Sequence, residues 1–351
     1  PNLMVGRERS KNFTKLYYDS ISKPLLDRGL KAQYPPGSPF KVITALTALQ
    51  ENVISPTTSI KCFGGYRYGS GNGAFMECHC GIYGGGIQLD QAIYRSCNSY
   101  FSNAYRKVIE KYPSSEKGME KGMNTWSDHA KSFGLGGFLN NDLFVGDPGM
   151  IPDGNFYNNW YPNSRWRATY TISNAIGQGE ILTTPIQLAN MTSAVTNRGF
   201  YFTPHIAKKI EGREIDAKFT TKRNTSIDPR HFEPVVEGLF HVFEHPRGTA
   251  RGSKVLGIEI CGKTGTAENP HGQDHSVFIA FAPKNNPKIA IAVFVENGYW
   301  GSRWAGPIAS LMIEQYLTNK TIRPWVEKRM LEGSIQEEYD KQLKEQLGIE
   351  K

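Results

Sequence analysis

Tyr34-Pro35-Pro36-Gly37-Ser38-Pro39-Phe40-Lys41-Val42-Ile43-Thr44-Ala45-Leu46 is the stretch from which the rest of the chain can be read. A Pro-Pro-Gly turn punctuates it. Val42, Ile43, Leu46 and Leu49 then recur at helical spacing, which predicts a buried helix from Ser38 to about Ile54. Ser38 and Lys41 stand at i and i+3, on one helix face, where an amine can reach a hydroxyl and activate it as a nucleophile. The pattern S-x-x-K also occurs at Ser20 to Lys23 and Ser114 to Lys117, but in polar, turn-like sequence that offers no buried helix. Ser38 is therefore the candidate nucleophile.

Working outward, a second pattern sits between helical stretches. Leu89, Ile93, Tyr100, Ala104 and Val108 keep helical spacing, and two helices are expected to meet near Ser96-Cys97-Asn98. S-x-N also occurs at Ser10 to Asn12 and at Ser70 to Asn72, the latter in a glycine loop. By itself Ser96 reads equally well as a helix cap. At a helix junction it can instead hold a second hydroxyl and an amide over a cleft.

A third pattern is ambiguous by letter. Gly257-Ile258-Glu259-Ile260-Cys261-Gly262-Lys263-Thr264 matches the phosphate-loop form G-x-x-x-x-G-K-T. That chemistry needs a helix beginning at the Lys-Thr pair, whereas the four intervening residues favour a strand and Gly265 and Pro270 oppose a helix. A strand over Ile258 to Lys263, running out at Thr264 and Gly265, fits better, with the glycine letting a ligand lie along the strand edge. Further strands are expected at Ser276 to Ala282 and Lys288 to Glu296, joined as a hairpin by Pro283 to Pro287. Helices are expected over 184–198, with Pro185 in the first turn, and over Ala305 to Leu317.

The chain has 351 residues, with 36 Gly and 20 Pro spread along it, enough for one large loop-rich domain. Residues 1–33 read as polar and irregular, 135–168 as loop-rich, and 321–351 as a charged helical tail beyond a domain over 1–320. Helices in the middle and strands towards the end argue for an α+β fold, an antiparallel sheet flanked by helices with an all-helical subregion. The longest apolar run, Ile289 to Val295, is too short to span a bilayer. The net charge of +8 suits an anionic partner without choosing one.

Taken together, Tyr34 to Lys41, Ser96 to Asn98, Gly177-Gln178-Gly179 with Thr184 to Ala189, and Gly262 to Ala267 resemble the class B penicillin-binding proteins, most closely the elongation type. The likeness runs from about Pro1 to Leu317 and implies the penicillin-binding-protein and serine β-lactamase-like transpeptidase fold. It also implies roles. Ser38 attacks the penultimate D-Ala carbonyl of a stem peptide and Lys41 takes the hydroxyl proton. Ser96 passes a proton to the leaving D-Ala, and Asn98 holds the peptide. Lys263, Thr264 and Thr266, with Gly265 between them, bind the substrate carboxylate, and the N–H groups of Ser38 and Thr266 form the oxyanion hole. The family's domain usually opens with sheet strands ahead of the point where this chain starts, so an N-terminally truncated domain and an incomplete sheet are expected.

Cys62, Cys78, Cys80 and Cys97 crowd around the second motif, and Cys261 stands apart. Four soft ligands can close a structural zinc site. The resemblance places a zinc ligand at Cys97, and disulfides are the rival reading; His79 could stand in as a ligand but reads better as a plain loop histidine. The partners implied are stem peptides ending in D-Ala-D-Ala, β-lactam antibiotics, and a RodA-type polymerase of the shape, elongation, division and sporulation family with its elongation machinery. Nucleic acid is not expected. The site of action implied is the periplasmic face of the inner membrane, reached through an N-terminal anchor absent from this chain. The same residues could serve a serine β-lactamase or β-lactam sensor, and a phosphate-loop nucleotidase or a non-catalytic wall-assembly scaffold would be more distant rivals. His241, His271 and His275 read as surface or loop residues.

Overall fold

The computed structural model describes residues 2–20, 22–69, 73–113, 115–162, 165–270, 272–336 and 340. Ser70, Asn72, Ser114, His271 and the tail beyond 340 lie outside the described residues. In chain order the first half holds helices α1 (Arg9–Tyr17) and α2 (Lys41–Gln50), strands β1 (Ile60–Arg67) and β2 (Phe75–Ile87), then α3 (Leu89–Tyr94), α4 (Asn98–Ile109), α5 (Glu116–Lys131) and α6 (Gly154–Trp160). The second half holds α7 (Pro185–Thr196), β3 (Phe200–Tyr201), α8 (Ala217–Thr220), β4 (Arg223–Asn224), α9 (Phe232–Glu244), β5 (Cys261–Ala267), β6 (His275–Ala282), β7 (Ile289–Val295), α10 (Ala305–Thr318) and α11 (Pro324–Glu332).

The centre is α2. Lys41 through Leu49 are all buried, the polar Lys41, Thr44 and Thr47 included, and the helix packs against α4, α5 and α9. The principal sheet is antiparallel in the order β5-β6-β7, with Lys263 opposite Ile279 and Ile279 opposite Ala292. Every residue of β6 is buried, which identifies it as the strand covered on both faces. On one face Phe278 meets Phe243 of α9 edge to face at 5.8 Å. On the other, Gly265 lies against Pro39 at the head of the nucleophile helix, so the sheet and the helical region meet at Ser38. The α+β architecture, an antiparallel sheet flanked by helices beside an all-helical region, stands as the sequence predicts.

Several elements differ from what the sequence predicts. The helix opening at Ser38 ends at Gln50, and its first turn, Ser38–Phe40, is a 3-10 turn. Residues 9–17 form a helix that buries nothing, so no apolar period announces it. The glycine-rich segments that carry Cys62, Cys78 and Cys80 form the paired strands β1 and β2, whose register is broken by two irregularities. Glycine is required where the two strands approach each other: a Cβ on Gly65 would lie 2.5 Å from the Met76 carbonyl. Helices α5 and α9 carry amphipathic patterns that the sequence reading passes over, and α6 interrupts the stretch read as loops.

The tail is tied to the domain at its root. Arg323 reaches the buried Glu314 of α10 at 3.1 Å and the Ser310 hydroxyl at 3.1 Å. No described helix is long and apolar enough to cross a membrane.

Candidate active site

Three backbone segments converge on Ser38. Gly37 takes a left-handed φ of 61° and donates its N–H to the Gly177 carbonyl at 2.9 Å. A Cβ on Gly37 would come within 2.6 Å of the Thr266 carbonyl oxygen, and one on Gly177 within 2.3 Å of the Gly37 carbonyl. Only glycine allows the nucleophile turn, the Gly177 turn and β5 to approach so closely. Gly265 has the same role from the sheet, since a Cβ there would lie 2.4 Å from Pro39 Cδ.

The hydroxyls and amines form a chain. Ser96 Oγ donates to Ser38 Oγ at 3.1 Å, and Lys41 Nζ donates to Ser96 Oγ at 3.0 Å, to the Ser96 carbonyl at 2.8 Å and to Asn98 Oδ1 at 2.5 Å. Lys41 and Ser38 share no direct hydrogen bond among the described residues; the Ser96 hydroxyl lies between them and is hydrogen-bonded to both. Ser96 joins α3 to α4 with a left-handed φ of 56°, a conformation costly for a non-glycine residue and held here by its position between the two helices. Asn98 is steadied in turn, donating its side-chain N–H to the Glu77 carbonyl at 2.6 Å and its backbone N–H to Cys78 Sγ at 3.1 Å.

Both lysines are fully buried. Burial pushes the Lys41 amine down to about 8, against the pull of the nearby Cys78, Cys97 and Cys80 thiols, which raise it. Burial, and next the charge of Lys41, lower Lys263 well below the ordinary lysine range. A neutral amine at Lys41 can accept a proton.

Lys263 lies within β5 rather than at its end. The strand begins three residues later than the sequence suggests and runs on to Ala267, so Lys263, Thr264 and Gly265 present a continuous edge. Alternation puts Lys263 and Gly265 on the Pro39 face and Thr264 on the other, where its hydroxyl donates to Thr249 Oγ1 at 2.8 Å. Lys263 Nζ donates to the Thr264 carbonyl at 3.0 Å. The Thr266 carbonyl accepts from Gln178 Nε2 at 3.2 Å. Because the N–H and C=O of one antiparallel residue leave by the same edge, the Thr266 N–H faces the Ser38 side of the strand as well. No helix starts at Lys263-Thr264, so the phosphate-loop reading fails on its own requirement.

The four cysteines around the second motif come together. Cys62, Cys78, Cys80 and Cys97 are buried, and their sulfurs lie within 4.8 Å of one another. Cys78 Sγ is 3.1 Å from Cys80 Sγ and 3.7 Å from Cys97 Sγ, and Cys62 Sγ is 3.6 Å from Cys80 Sγ. These spacings are far beyond a disulfide bond of about 2.05 Å. They are close to the edge of roughly 3.8 Å that a tetrahedron of sulfurs would have about a zinc with Zn–S bonds near 2.3 Å. Hydrogen bonding among the sulfurs divides them, holding the Cys78 thiol well below its usual range while Cys80 and Cys97 are pushed above theirs. Cys97 caps α4, accepting from the Tyr100 N–H at 3.4 Å, and stands between Ser96 and Asn98. His79 points away from the cluster, exposed and edge to face with Trp300 at 5.7 Å. Cys261 is buried alone in β5, its thiol pushed up by burial.

Of the serines in the competing motif matches, Ser20 and Ser10 are exposed. The sequence reading misses the anchor that holds the turn before Ser38: Glu296 accepts from the Tyr34 hydroxyl at 2.6 Å and from Arg28 Nε at 2.9 Å. These residues are far apart in sequence and no motif links them. Two histidines are also more structural than the sequence suggests. His275 is buried in β6 and accepts from the Asn297 N–H at 3.0 Å, and His241 is half-buried against Asp90 at 2.7 Å.

The family model of the penicillin binding protein transpeptidase domain matches residues 2–314. Peptidoglycan D,D-transpeptidase MrdA of Acinetobacter baumannii is 29% identical over 344 residues, covering 92% of this chain and 48% of that protein. The crystal structure of Pseudomonas aeruginosa PBP2 in complex with WCK 5153 matches with a TM-score of 0.76 at 33% identity, over 91% of this chain and 66% of that one. A chain from work on the structural coordination of polymerization and crosslinking by a peptidoglycan synthase complex matches with a TM-score of 0.75 at 26% identity, over 92% of this chain and 52% of that one. This chain spans about half the length of the curated relatives it matches.

Proposed function

Because the chain belongs to the penicillin-binding protein transpeptidase family, we propose that it is the D,D-transpeptidase that cross-links peptidoglycan stem peptides during cell-wall elongation. The observation that carries this reading is the hydrogen-bonded relay Ser38–Ser96–Lys41 beside the edge of β5. Ser38 Oγ attacks the penultimate D-Ala carbonyl while its proton passes to Ser96 and the Ser96 proton to the neutral Lys41 amine. The carbonyl oxygen gathers the negative charge and accepts from the N–H groups of Ser38 and Thr266. As the C–N bond breaks, Ser96 returns a proton from Lys41 to the departing D-Ala amine. An amine of a second stem peptide then attacks the Ser38 ester by the reverse proton path and frees the serine. Asn98 holds the peptide backbone, while Lys263, with Thr264, Gly265 and Thr266, receives the terminal carboxylate.

The cysteine cluster is the seat of a structural zinc in this reading. The donor set fits: four buried sulfurs at tetrahedral spacing leave no open position for a catalytic water. The ion would supply rigidity, fixing Cys97 and thereby the serine and asparagine on either side of it. The acceptor and donor are strands of nascent wall at the periplasmic face of the inner membrane, made beside a RodA-type polymerase, a pairing supported by the likeness to the peptidoglycan synthase complex.

Incubation with pentapeptide-bearing glycan and an amine acceptor is expected to release D-Ala and couple acceptor in equal amounts, both blocked by benzylpenicillin. A β-lactamase would instead turn over the antibiotic without coupling anything. Rapid turnover of benzylpenicillin with no coupled peptide would refute the transpeptidase reading.

A further inference from the structure

Away from Ser38, a concavity of about 1150 Å³ opens on the helical region, between the end of β1, α4, α5 and α6. Arg67, Tyr68, Arg106, Arg165, Arg167 and Tyr170 line it, and Glu110 is the only acid among its lining residues. Arg106 uses that acid, at 2.9 Å. Arg67, Arg165 and Arg167 make no ion pair among the described residues, and all three are exposed. Aromatic rings share the wall: Tyr161 and Tyr170 have ring centroids 5.7 Å apart, Tyr68 stacks on Tyr66 at 6.2 Å, and the Arg67 guanidinium lies over the Phe75 ring at 5.3 Å. Tyr170 is 55% exposed.

Nothing in the acyl-transfer chemistry uses these residues. Unpaired guanidinium groups in a concave wall suit carboxylates, which they bind in a bidentate fork. Tyrosine rings in the same wall suit flat, partly apolar ring surfaces. The wall is too polar for a lipid chain. We propose that this cleft binds the glycan part of a peptidoglycan strand together with the free carboxylates of its stem peptides, a deepening that rests on the function proposed above.

Its position supports the assignment. Arg106 lies on the same helix as Asn98, eight residues on, which at 1.5 Å per residue is about 12 Å along the axis. The 3-10 segment Ala168–Ile176 connects the two places as well, carrying Tyr170 at one end and meeting Gly177, against Gly37, at the other. A strand whose peptide lies at Ser38 can thus rest its backbone in the cleft, and the net charge of +8 favours that anionic polymer at longer range.

The test is co-sedimentation of the chain with purified peptidoglycan sacculi, comparing the parent with a variant carrying Arg67→Ala, Arg167→Ala and Tyr170→Ala. All three side chains are exposed, so the variant should fold, and its rate of labelling by a fluorescent penicillin should equal the parent's. Binding to sacculi should weaken about tenfold or more, as loss of paired Arg and Tyr anchors does elsewhere. Equal sedimentation of parent and variant would overturn the proposal. So would single-stranded DNA that binds the parent as tightly as sacculi do and competes with them, since the cleft would then be a nucleic-acid site. A parent that penicillin does not label would count against the transpeptidase reading, and the sacculus assay would still judge the cleft by itself.

Discussion

Lys41→Ala should slow acylation by benzylpenicillin about 10²–10⁴-fold, the range that loss of a positioned general base gives. Ser38→Ala should abolish it. In the proposed mechanism the proton passes from Ser38 through the Ser96 hydroxyl, which is hydrogen-bonded to both Ser38 and Lys41, so removing the amine leaves two serines with no acceptor for the proton between them. The pH dependence should change with it. In the parent, acylation should rise as pH increases through about 8, the value to which burial lowers Lys41, because the neutral amine is the competent form. The variant should lose that rise. Stability carries the same sign: the Lys41 value is depressed in the folded chain, so the unfolded chain binds more protons between about 8 and 10.5. The corresponding stabilisation is full above the unfolded value and is lost as pH falls through about 8. Stopped-flow labelling from about pH 6 to about pH 10, on either side of the shifted Lys41 value, measures the kinetic part. A variant as fast as the parent, with the same pH profile, would remove Lys41 from the mechanism.

The second large effect concerns the cysteine cluster. Metal analysis of the purified chain should find about one zinc, and stripping it should lower Tm and slow acylation together. The coupling is the informative part. Cys97 is flanked by Ser96 and Asn98, and Asn98 donates its N–H to Cys78, so the geometry of the relay depends on where the sulfurs are held. Cys80→Ser should reproduce both losses, since Cys80 is the sulfur nearest Cys78 and also faces Cys62. Metal-free protein in which none of the four thiols titrates would point to disulfides instead.

How much of this can be read from the chain alone depends on whether the signal is local. The nucleophile turn is legible because the spacing of Ser38 and Lys41 and the apolar run behind them are contained within one helix. The junction at Ser96 is legible for the same reason, two helical periods being interrupted there. The pairing of β1 with β2 is not. Its glycines argue against a strand when counted one by one, and the reason they are tolerated, close approach of Gly65 to the Met76 carbonyl, appears only once the strands pair. The extent of β5 is misplaced because Gly262 and Gly265 weaken a strand pattern, whereas their actual service is to admit Pro39 and the backbone of β6. The convergence of four sulfurs follows from crowding in sequence, but the exclusion of His79 follows from alternation along β2, which directs Cys78 and Cys80 to one side and His79 to the other. The links between Tyr34 and Glu296, and between Gln178 and Thr266, join residues far apart in the chain and carry no motif.

The relay as the seat of acyl transfer is tested most directly by the intact mass of the folded chain after benzylpenicillin treatment, followed by peptide mapping of the adduct. One adduct per chain, on the peptide containing Ser38 and absent in Ser38→Ala, is the expected result. An adduct on Ser20 or Ser114, or none at all in a sample shown to be folded, would contradict it.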